Sequence, residues 1–318
     1  MTNLTELGNL LQQRDHYLIV GHENPDPDSI GSMLGIYQCL RHLGKTCHMM
    51  CADALADLSW PNMDKITPFD QAIPYETAIV LDCEPNRTGI LASLIKDAPF
   101  LINIDHHQGS AHSGDFNYVD THQAATSMII FSLAKELSIP ISYPIAQPLY
   151  GGILGDTGGF RHSNTTTEVL LAAAELVANG ARPADTAREI FECKPLEFLK
   201  FLGYALGKIQ TSHNGRIAWV ALSQQDFTTH DVDPANSDQL IQYVRMVAET
   251  EIAMLFREVA PLEIRIGFRS HRVNIHTLAS HFGGGGHILA AGAKLNGTLP
   301  DVVEQVISSA NLLLEGEL

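Results

Sequence analysis

The 318-residue chain lacks a long hydrophobic run, a regular cysteine pattern and an excess of basic residues. No run approaches the roughly 18 apolar residues of a membrane span, and the polar N-terminal segment has no apolar signal core, so we expect a soluble protein. The five cysteines do not show the spacing of a zinc knuckle or a disulfide framework, which predicts reduced thiols in the cytoplasm. With 36 acidic against 20 basic residues, the formal charge is −16. A long duplex nucleic acid would therefore be repelled.

The length and the 45% hydrophobic content are sufficient for two domains with cores of their own. In the first half, short apolar runs alternate with amphipathic helical patterns, which predicts an α/β fold with a mostly parallel sheet flanked by helices. A helical linker and a smaller C-terminal α/β domain follow. The predicted boundaries are 1–187 for the first domain, 188–211 for the linker and 212–318 for the second domain.

Clusters of carboxylates and imidazoles follow several of the predicted strands and helices. Ligands of α/β sheets lie beyond the carboxyl ends of the strands, so these side chains are expected to converge. Each cluster alone is also compatible with a turn or a helix cap. The clusters are His22-x-x-x-Asp26-x-Asp28, Asp82, Asp105-His106-His107 and Asp156.

Converging carboxylates repel one another in a partly dry pocket unless cations neutralise them. A pair of divalent ions would do so. Oxygen ligands with a minority of imidazoles suit Mn²⁺, Mg²⁺ or Fe²⁺ better than a structural zinc ion, which favours thiolates. We therefore predict two Mn²⁺ ions, with Mg²⁺ and Fe²⁺ as alternatives.

In order and content, the four clusters resemble the motifs of the DHH phosphoesterases. The C-terminal part resembles the DHH-associated substrate-binding domain, so the resemblance spans nearly the whole chain. It is strongest to the NrnA-like branch, which degrades very short RNAs and dephosphorylates adenosine 3′,5′-bisphosphate. The C-terminal motifs are Phe268-Arg269-Ser270, Val273-Asn274-Ile275, Phe282 to His287 and Ala290-Ala291-Gly292.

The resemblance implies roles for the residues of the first domain. Two ions about 3.5 to 4 Å apart would share a carboxylate and activate a hydroxide that attacks the phosphorus. His107 would face the scissile phosphate, and Asp105 would orient a neighbouring imidazole. The implied ligands are His22 and Asp26 for the first ion, Asp28, His106 and Asp156 for the second, and Asp82 as the bridge.

In the second domain, a run of four glycines would let a ligand approach the backbone closely, although such a run is also typical of a flexible turn. Arg269 would grip a non-scissile phosphate with two hydrogen bonds. The active site is expected in the cleft between the domains. The predicted substrate-binding residues are Arg269, Ser270, Gly284, Gly285, Gly286 and His287.

The predicted function is hydrolysis of very short oligonucleotides, linear dinucleotides such as pApA, or adenosine 3′,5′-bisphosphate. One alternative is a manganese-dependent inorganic pyrophosphatase, whose opening motif residues 22–30 also resemble, with Pro27 where the short-RNA branch often carries glycine. The pyrophosphatase Ser-Arg-Lys motif is missing near the C-terminus. A second alternative is a nucleotide-binding sensor without turnover, although all six metal ligands are present. The sequence leaves open which of these substrates is preferred, from which end an oligonucleotide is attacked, and whether the chain forms a homodimer.

Overall fold

The computed structural model describes residues 3–53, 55, 57–70, 73–107 and 113–316. The chain divides into two compact units, Met1–Cys193 and Lys194–Leu318. The segment 188–211, predicted as a linker, does not stand apart. Its first part is a π-helical turn, Arg188–Glu192, in the first unit. Its second part packs Phe198 and Phe201 into a core of the second unit, because these apolar side chains need a surface to cover them.

A parallel sheet forms the centre of the first unit. Within the described residues it has six strands in the order β3-β2-β1-β4-β5-β6. The central strands are buried along their whole length, which explains their continuous apolar sequences. The strands are β1 (Tyr17–Val20), β2 (Cys47–Cys51), β3 (Ile66–Pro68), β4 (Thr77–Leu81), β5 (Leu101–Asp105) and β6 (Phe116–Val119).

Helices cover both faces of this sheet, and the predicted α/β class is confirmed. Ile19 and Ile79 pack on the side of α2, α4 and α5, whereas Leu18 and Val80 pack with Leu91 and Ile95 on the other side. The helices are α1 (Leu4–Gln13), α2 (Pro27–His42), α3 (Ala92–Ile95), α4 (Thr126–Glu136), α5 (Tyr143–Asp156), α6 (Thr167–Ala178) and α7 (Pro183–Ala187).

The contact between α2 and α5 is unusually close because glycines line it. A Cβ atom on Gly31 would lie 2.4 Å from the carbonyl oxygen of Pro148, and one on Gly35 would lie 2.5 Å from Leu149 Cδ2. Only glycine allows backbones to approach this far. The contact brings the first turn of α2 and the last turn of α5 to the same edge of the unit.

The second unit has a mixed sheet of its own, which among the described residues has the order β11-β12-β10-β9-β8-β7. Its helices are α8 (Leu196–Leu206), α9 (Gln224–Thr229), α10 (Leu240–Val244), α11 (Ile275–His281) and α12 (Leu299–Glu315). Its strands are β7 (Gln210–Ser212), β8 (Ile217–Leu222), β9 (Ile252–Ala260), β10 (Glu263–Ser270), β11 (Gly285–Gly286) and β12 (Ala290–Asn296).

Two cores lie on opposite faces of this second sheet. Ile266 and Phe268 of β10 contribute to the core on one face, whereas Ala253 and Leu255 of β9 pack with α8 and α10 on the other. In the described part of the chain, no helix has both the length and the apolar character that crossing a bilayer requires.

Candidate metal centre

The order of the parallel sheet predicts where a ligand binds. Strand β1 pairs with β2 on one side and with β4 on the other, so the chain reverses its direction of winding between β1 and β4. Crevices form beyond the carboxyl ends of the strands at such a switch point. His22 follows β1 and Asp82 follows β4, and Val20 and Val80 are cross-strand partners. The two side chains therefore start at the same level of this edge.

A first group of ligand atoms consists of His22, Asp26 and Asp82. His22 Nε2 lies 3.6 Å from Asp26 Oδ1 and 3.7 Å from Asp82 Oδ2. On the opposite side of the ring, Nδ1 lies 2.7 Å from the carbonyl oxygen of Glu23. A hydrogen bond from Nδ1–H to that carbonyl leaves the lone pair of Nε2 directed at the carboxylates.

Asp26 is held by the start of α2, of which it is the N-cap. Its Oδ1 accepts hydrogen bonds from the backbone amides of Asp28 and Ser29, both at 2.9 Å. An aspartate before Pro27 at the first helical position is a strong helix start. The same residues that begin the helix therefore orient one candidate ligand.

A second group consists of Asp28, His106 and Asp156. His106 Nε2 lies 3.2 Å from Asp156 Oδ2, and His106 Nδ1 lies 3.2 Å from the carbonyl oxygen of Gln123. Asp28 is fully buried. Its Oδ2 and Oδ1 accept hydrogen bonds from the backbone amides of Thr126 (2.6 Å) and Ser127 (2.9 Å). The positive N-terminal end of α4 thus holds this carboxylate.

Asp82 lies between the two groups. Its Oδ2 is the atom near His22, and its Oδ1 lies 3.4 Å from His106 Nε2. The residue is 2% exposed and has a φ angle of +65°. A non-glycine residue in this left-handed region is strained, and Thr126 Oγ1 fixes the side chain by donating a hydrogen bond to Oδ1 at 2.9 Å.

The electrostatics of the cluster are unfavourable without a cation. Burial and the neighbouring Asp156 raise the pKa of Asp28 to about 6. Burial and the carboxylates of Asp28, Asp26 and Asp156 raise the pKa of Asp82 well above its usual value. Burial opposes protonation of His106, yet the contacts with Asp156 and Asp28 raise its pKa to about 9. The carboxylates therefore require positive charge nearby.

The donor set fits divalent cations. Four carboxylates and two imidazoles match the preference of Mn²⁺, Mg²⁺ or Fe²⁺ for oxygen and nitrogen ligands. His106 Nε2 is buried and, within the described residues, forms no hydrogen bond of acceptable geometry, although two carboxylate oxygens lie near it. A buried ring nitrogen placed between carboxylates is the arrangement that a shared cation would satisfy.

His107 and Asp105 form a pair that adjoins these groups, and His107 Nδ1 also lies 3.8 Å from Asp82 Oδ1. Asp105 is fully buried, and its Oδ1 accepts hydrogen bonds from the backbone amides of His106 (2.7 Å) and His107 (3.1 Å). The same oxygen lies 2.8 Å from His107 Nδ1. His107 is the more exposed of the two adjacent histidines, with 35% of its side chain accessible. Asp105 thus orients an imidazole at the border of the site.

The second unit holds the six predicted substrate-binding residues. Arg269 lies near the end of β10 and donates a hydrogen bond to the carbonyl oxygen of Phe268 at 2.9 Å. Ser270 is buried, and its Oγ accepts hydrogen bonds from the amides of Arg272 (3.1 Å) and Val273 (2.7 Å). That oxygen therefore shapes the turn after β10. His287 follows β11 in a tight hairpin with Ala290.

The glycines of the predicted substrate-binding set, Gly284 to Gly286, have different surroundings. A Cβ atom on Gly284 would lie 2.1 Å from the carbonyl oxygen of Gly292, and one on Gly286 would lie 2.6 Å from that of Ala290. These two glycines are required by the close approach of β12. At Gly285 a Cβ would have no neighbour within 4 Å, so this glycine borders open space.

Two known domain families match this chain. The model of the DHH family, N-terminal domain, matches residues 16–153, and that of the DHHA1 domain matches residues 216–316. The bifunctional oligoribonuclease and PAP phosphatase NrnA of Thermus thermophilus is 32% identical over 92% of this chain and 88% of its own length. The chain belongs to the DHH family. The predicted C-terminal domain and the similarity to the NrnA-like branch are also confirmed.

Two further relatives of this DHH-family chain cover almost its whole length. The enzyme of the same name from Bacillus subtilis is 28% identical over 92% of this chain and 93% of its own. A crystal structure of an exopolyphosphatase-related protein from Bacteroides fragilis has a TM-score of 0.90 at 25% identity, covering 98% of this chain and 97% of that one.

Sequence reasoning missed several residues that hold the DHH-family site together. Thr126 contacts both Asp28 and Asp82, and Ser127 contacts Asp28. Asn164 Nδ2 donates to the carbonyl oxygens of Ala124 (3.1 Å) and Asp156 (3.3 Å), which ties the end of α5 to the start of α4. The predicted start of a helix at residues 124–126 could have indicated a partner for a buried carboxylate, because helix N-termini bind anions.

Proposed function

We propose that this DHH-family protein hydrolyses phosphoester bonds of very short oligonucleotides, such as pApA, and of adenosine 3′,5′-bisphosphate. The observation that carries the proposal is the meeting of both ligand groups at Asp82. The relatives named bifunctional oligoribonuclease and PAP phosphatase support it, because each alignment covers nearly the full length of this chain and of the relative. Both reactions in that name are attacks of water on phosphorus.

Six residues would hold two divalent cations, which we propose to be Mn²⁺, with Mg²⁺ and Fe²⁺ as alternatives. His22 and Asp26 would bind one, Asp28, His106 and Asp156 the other, and Asp82 both. When bound, such ions supply positive charge to phosphoryl oxygens and make water a better nucleophile at neutral pH. The α4 amides and Thr126 hold Asp28 and Asp82 in place for this task.

His107, oriented by Asp105, would act as a hydrogen-bond or proton donor to the substrate. With Nδ1–H donated to Asp105, the Nε2 side of the ring is turned away from that carboxylate. A His107 protonated on both nitrogens would donate a hydrogen bond to the scissile phosphate or a proton to the leaving oxygen. The buried Asp105 carboxylate would stabilise this charged imidazole.

The proposed substrates are small because the charge of the protein opposes long polyanions. The formal charge of −16 repels an extended duplex, whereas one to a few nucleotides need only local cations such as Arg269. Ser270, Gly284 to Gly286 and His287 would complete the contacts. The cytoplasm is the proposed location, since the five thiols are all unpaired, and a homodimer stays a prediction.

A substrate panel tests this function. The purified chain is assayed with pApA, adenosine 3′,5′-bisphosphate and inorganic pyrophosphate, each with Mn²⁺, Mg²⁺, Fe²⁺ or EDTA. We expect release of AMP from pApA and of orthophosphate from the bisphosphate, both abolished by EDTA. Rapid turnover of pyrophosphate alone would instead assign the chain to the pyrophosphatase alternative.

A pair of variants distinguishes an effect at the metal site from a general effect of replacing aspartate by asparagine. Asp82→Asn should remove the activity with both nucleotides, because it weakens the proposed bridging ligand. Asp64→Asn is the matched control, since this aspartate is 72% exposed and, among the described residues, forms an ion pair only with Lys65. Nucleotide binding without turnover under every metal condition would favour the sensor alternative.

A further inference from the structure

Arg245 lies beside Arg269 in the second unit. On β10, Gly267 and Arg269 point to the same face because side chains alternate along a strand. A Cβ on Gly267 would lie 3.3 Å from Ile241 Cδ1 of α10, and Arg245 follows Ile241 by about one helical turn. The carbonyl oxygen of Arg245 lies 3.4 Å from Nε2 of His271, just beyond Arg269. Helix α10 therefore runs along β10 and ends next to Arg269.

Neither of these arginines is neutralised by the described part of the protein. No carboxylate there forms an ion pair with Arg245 or Arg269, and the Arg269 guanidinium donates a hydrogen bond to the backbone carbonyl oxygen of Phe268. The nearby carboxylate of Asp238 is already bound to Arg257 Nη2 at 2.5 Å. Burial lowers the pKa of Arg269, Asp238 partly offsets this, and the positive charge of Arg245 lowers it further.

Two guanidiniums that repel each other electrostatically and have no ion-pair partner among the described residues are unusual in a protein whose net charge is −16. Like charges in a half-buried setting repel, and the arrangement is unfavourable unless an anion binds between them. Guanidinium groups suit phosphate because their donors match its oxygens in pairs. The charge pattern thus points to a phosphate group as the missing partner.

The sheet surface next to Arg269 provides room for the rest of a nucleotide. Beyond Gly267, which Ile241 covers, Gly292 and Gly285 are cross-strand partners on β12 and β11 and form a row without side chains. The neighbouring cross-strand partner of Arg269 is the small Ala290. A flat ring can lie directly on such a backbone surface.

Exposed apolar side chains occur next to the same residues in the chain. Met246, which follows Arg245, is 66% exposed, and Leu289, which precedes Ala290, is 41% exposed. Exposed apolar side chains beside a charged cluster are typical of a site for a ligand with both an apolar ring and an anionic group. A nucleotide has both.

We propose that Arg245 is a second phosphate-binding residue of the second unit and grips a non-scissile phosphate of the substrate together with Arg269. This inference rests on the proposed function for the identity of the ligand. It adds a residue from α10 to a set that was otherwise drawn from β10 and the glycine-rich hairpin. Its consequence is selectivity for nucleotides that carry a second phosphate.

Equilibrium binding without divalent cations tests the proposal, because turnover is then prevented. Calorimetry of the full chain in EDTA compares adenosine 3′,5′-bisphosphate with adenosine. Arg245→Met should weaken binding of the bisphosphate by about tenfold or more, the loss of one charge-assisted hydrogen bond, and leave adenosine unchanged. Arg245→Lys, which keeps the charge but loses the paired donors, should fall between the two and guards against misfolding of the first variant.

Arg265→Met is the matched control. Arg265 is on the same strand and face as Arg269, about 13 Å away along β10, and is 60% exposed. Its replacement should leave bisphosphate binding unchanged. The proposal is overturned if folded Arg245→Met and Arg245→Lys both bind the bisphosphate as tightly as the parent.

Kinetics with Mn²⁺ distinguish a failure of this inference from a failure of the proposed function. If the parent hydrolyses neither pApA nor the bisphosphate, the function is wrong, while the binding comparison in EDTA still tests Arg245. If the parent is active, Arg245→Met should raise KM with little change in kcat, as expected for a contact present equally in the ground and transition states. A lower kcat with unchanged KM would contradict the assigned role.

Discussion

The contact of α5 with Asp28 makes Gly152→Ala an informative perturbation of the metal centre. A Cβ atom on Gly152 would lie 2.0 Å from Ser127 Oγ and 2.7 Å from Asp28 Oδ1. Both are closer than van der Waals contact, so α5 or the start of α4 must move. Overpacking of a buried contact costs about 1–3 kcal/mol. Because the clash reaches a proposed ligand, we also expect Mn²⁺ affinity to fall by about 10- to 100-fold.

Gly203→Ala is the matched control for this substitution. Gly203 lies inside α8, and a Cβ there would have no neighbour within 4 Å. Alanine should therefore stabilise the second unit by about 0.4–1 kcal/mol, since it reduces the entropy of the unfolded chain. The same substitution is expected to lower the free energy of unfolding at Gly152 and to raise it at Gly203.

Urea unfolding in EDTA and calorimetry of Mn²⁺ binding measure these effects. Trp60 belongs to the first unit and Trp219 to the second, so fluorescence of single-tryptophan versions reports each unit separately. The close approach of Gly151 to Trp60, whose Cζ2 would lie 2.2 Å from a Cβ there, makes Trp60 sensitive to a shift of α5. Unchanged stability and Mn²⁺ affinity in Gly152→Ala would refute the proposed packing of α5 against Asp28.

Other predictions concern single side chains. Asp82→Asn should abolish the rise in melting temperature caused by Mn²⁺ together with the activity, and retention of both would disprove the bridging role. His107→Ala should lower kcat but keep Mn²⁺ binding by calorimetry, whereas loss of metal would make it a ligand. Burial opposes ionisation of Asp226, but hydrogen bonds from Lys208, Tyr204 and Ser223 hold its pKa at about 2, below the usual 3.8. Its contribution of about 2 kcal/mol should be present above pH 4 and lost as the pH falls towards 2, and Asp226→Asn should flatten this decline in urea midpoints. Gly285→Leu should leave the melting temperature unchanged and weaken nucleotide binding, because its side chain would enter open space; equal binding would exclude the glycine row as a ligand surface.

Much of the first unit was predictable from local patterns. Residues 78–81 are continuously apolar because β4 is buried on both faces, and this is a strong strand signal. The edge strands β3 and β6 are short and not fully buried, so their sequences carry only a weak strand signal. In the second unit β12 carries no such signal, because its small residues, such as Gly292, serve close pairing and leave no alternating apolar pattern.

The linker prediction shows a second limit of local patterns. The apolar residues of 196–206 correctly indicated a helix, now α8. A periodic pattern shows that one face needs a cover but does not say which core provides it. Only the packing of Phe201 with Phe227 and Val220 assigns this helix to the second unit.

The sequence by itself determined the fold class, the family and the chemical types of the candidate ligands, because strand periodicity and residue order are local properties of the chain. The tertiary structure alone decided that Asp82 lies between two groups of ligand atoms, that the amides of α4 hold Asp28, and that Arg245 ends beside Arg269. Those relations join residues far apart in the chain. They depend on strand order and helix packing, which no local pattern encodes.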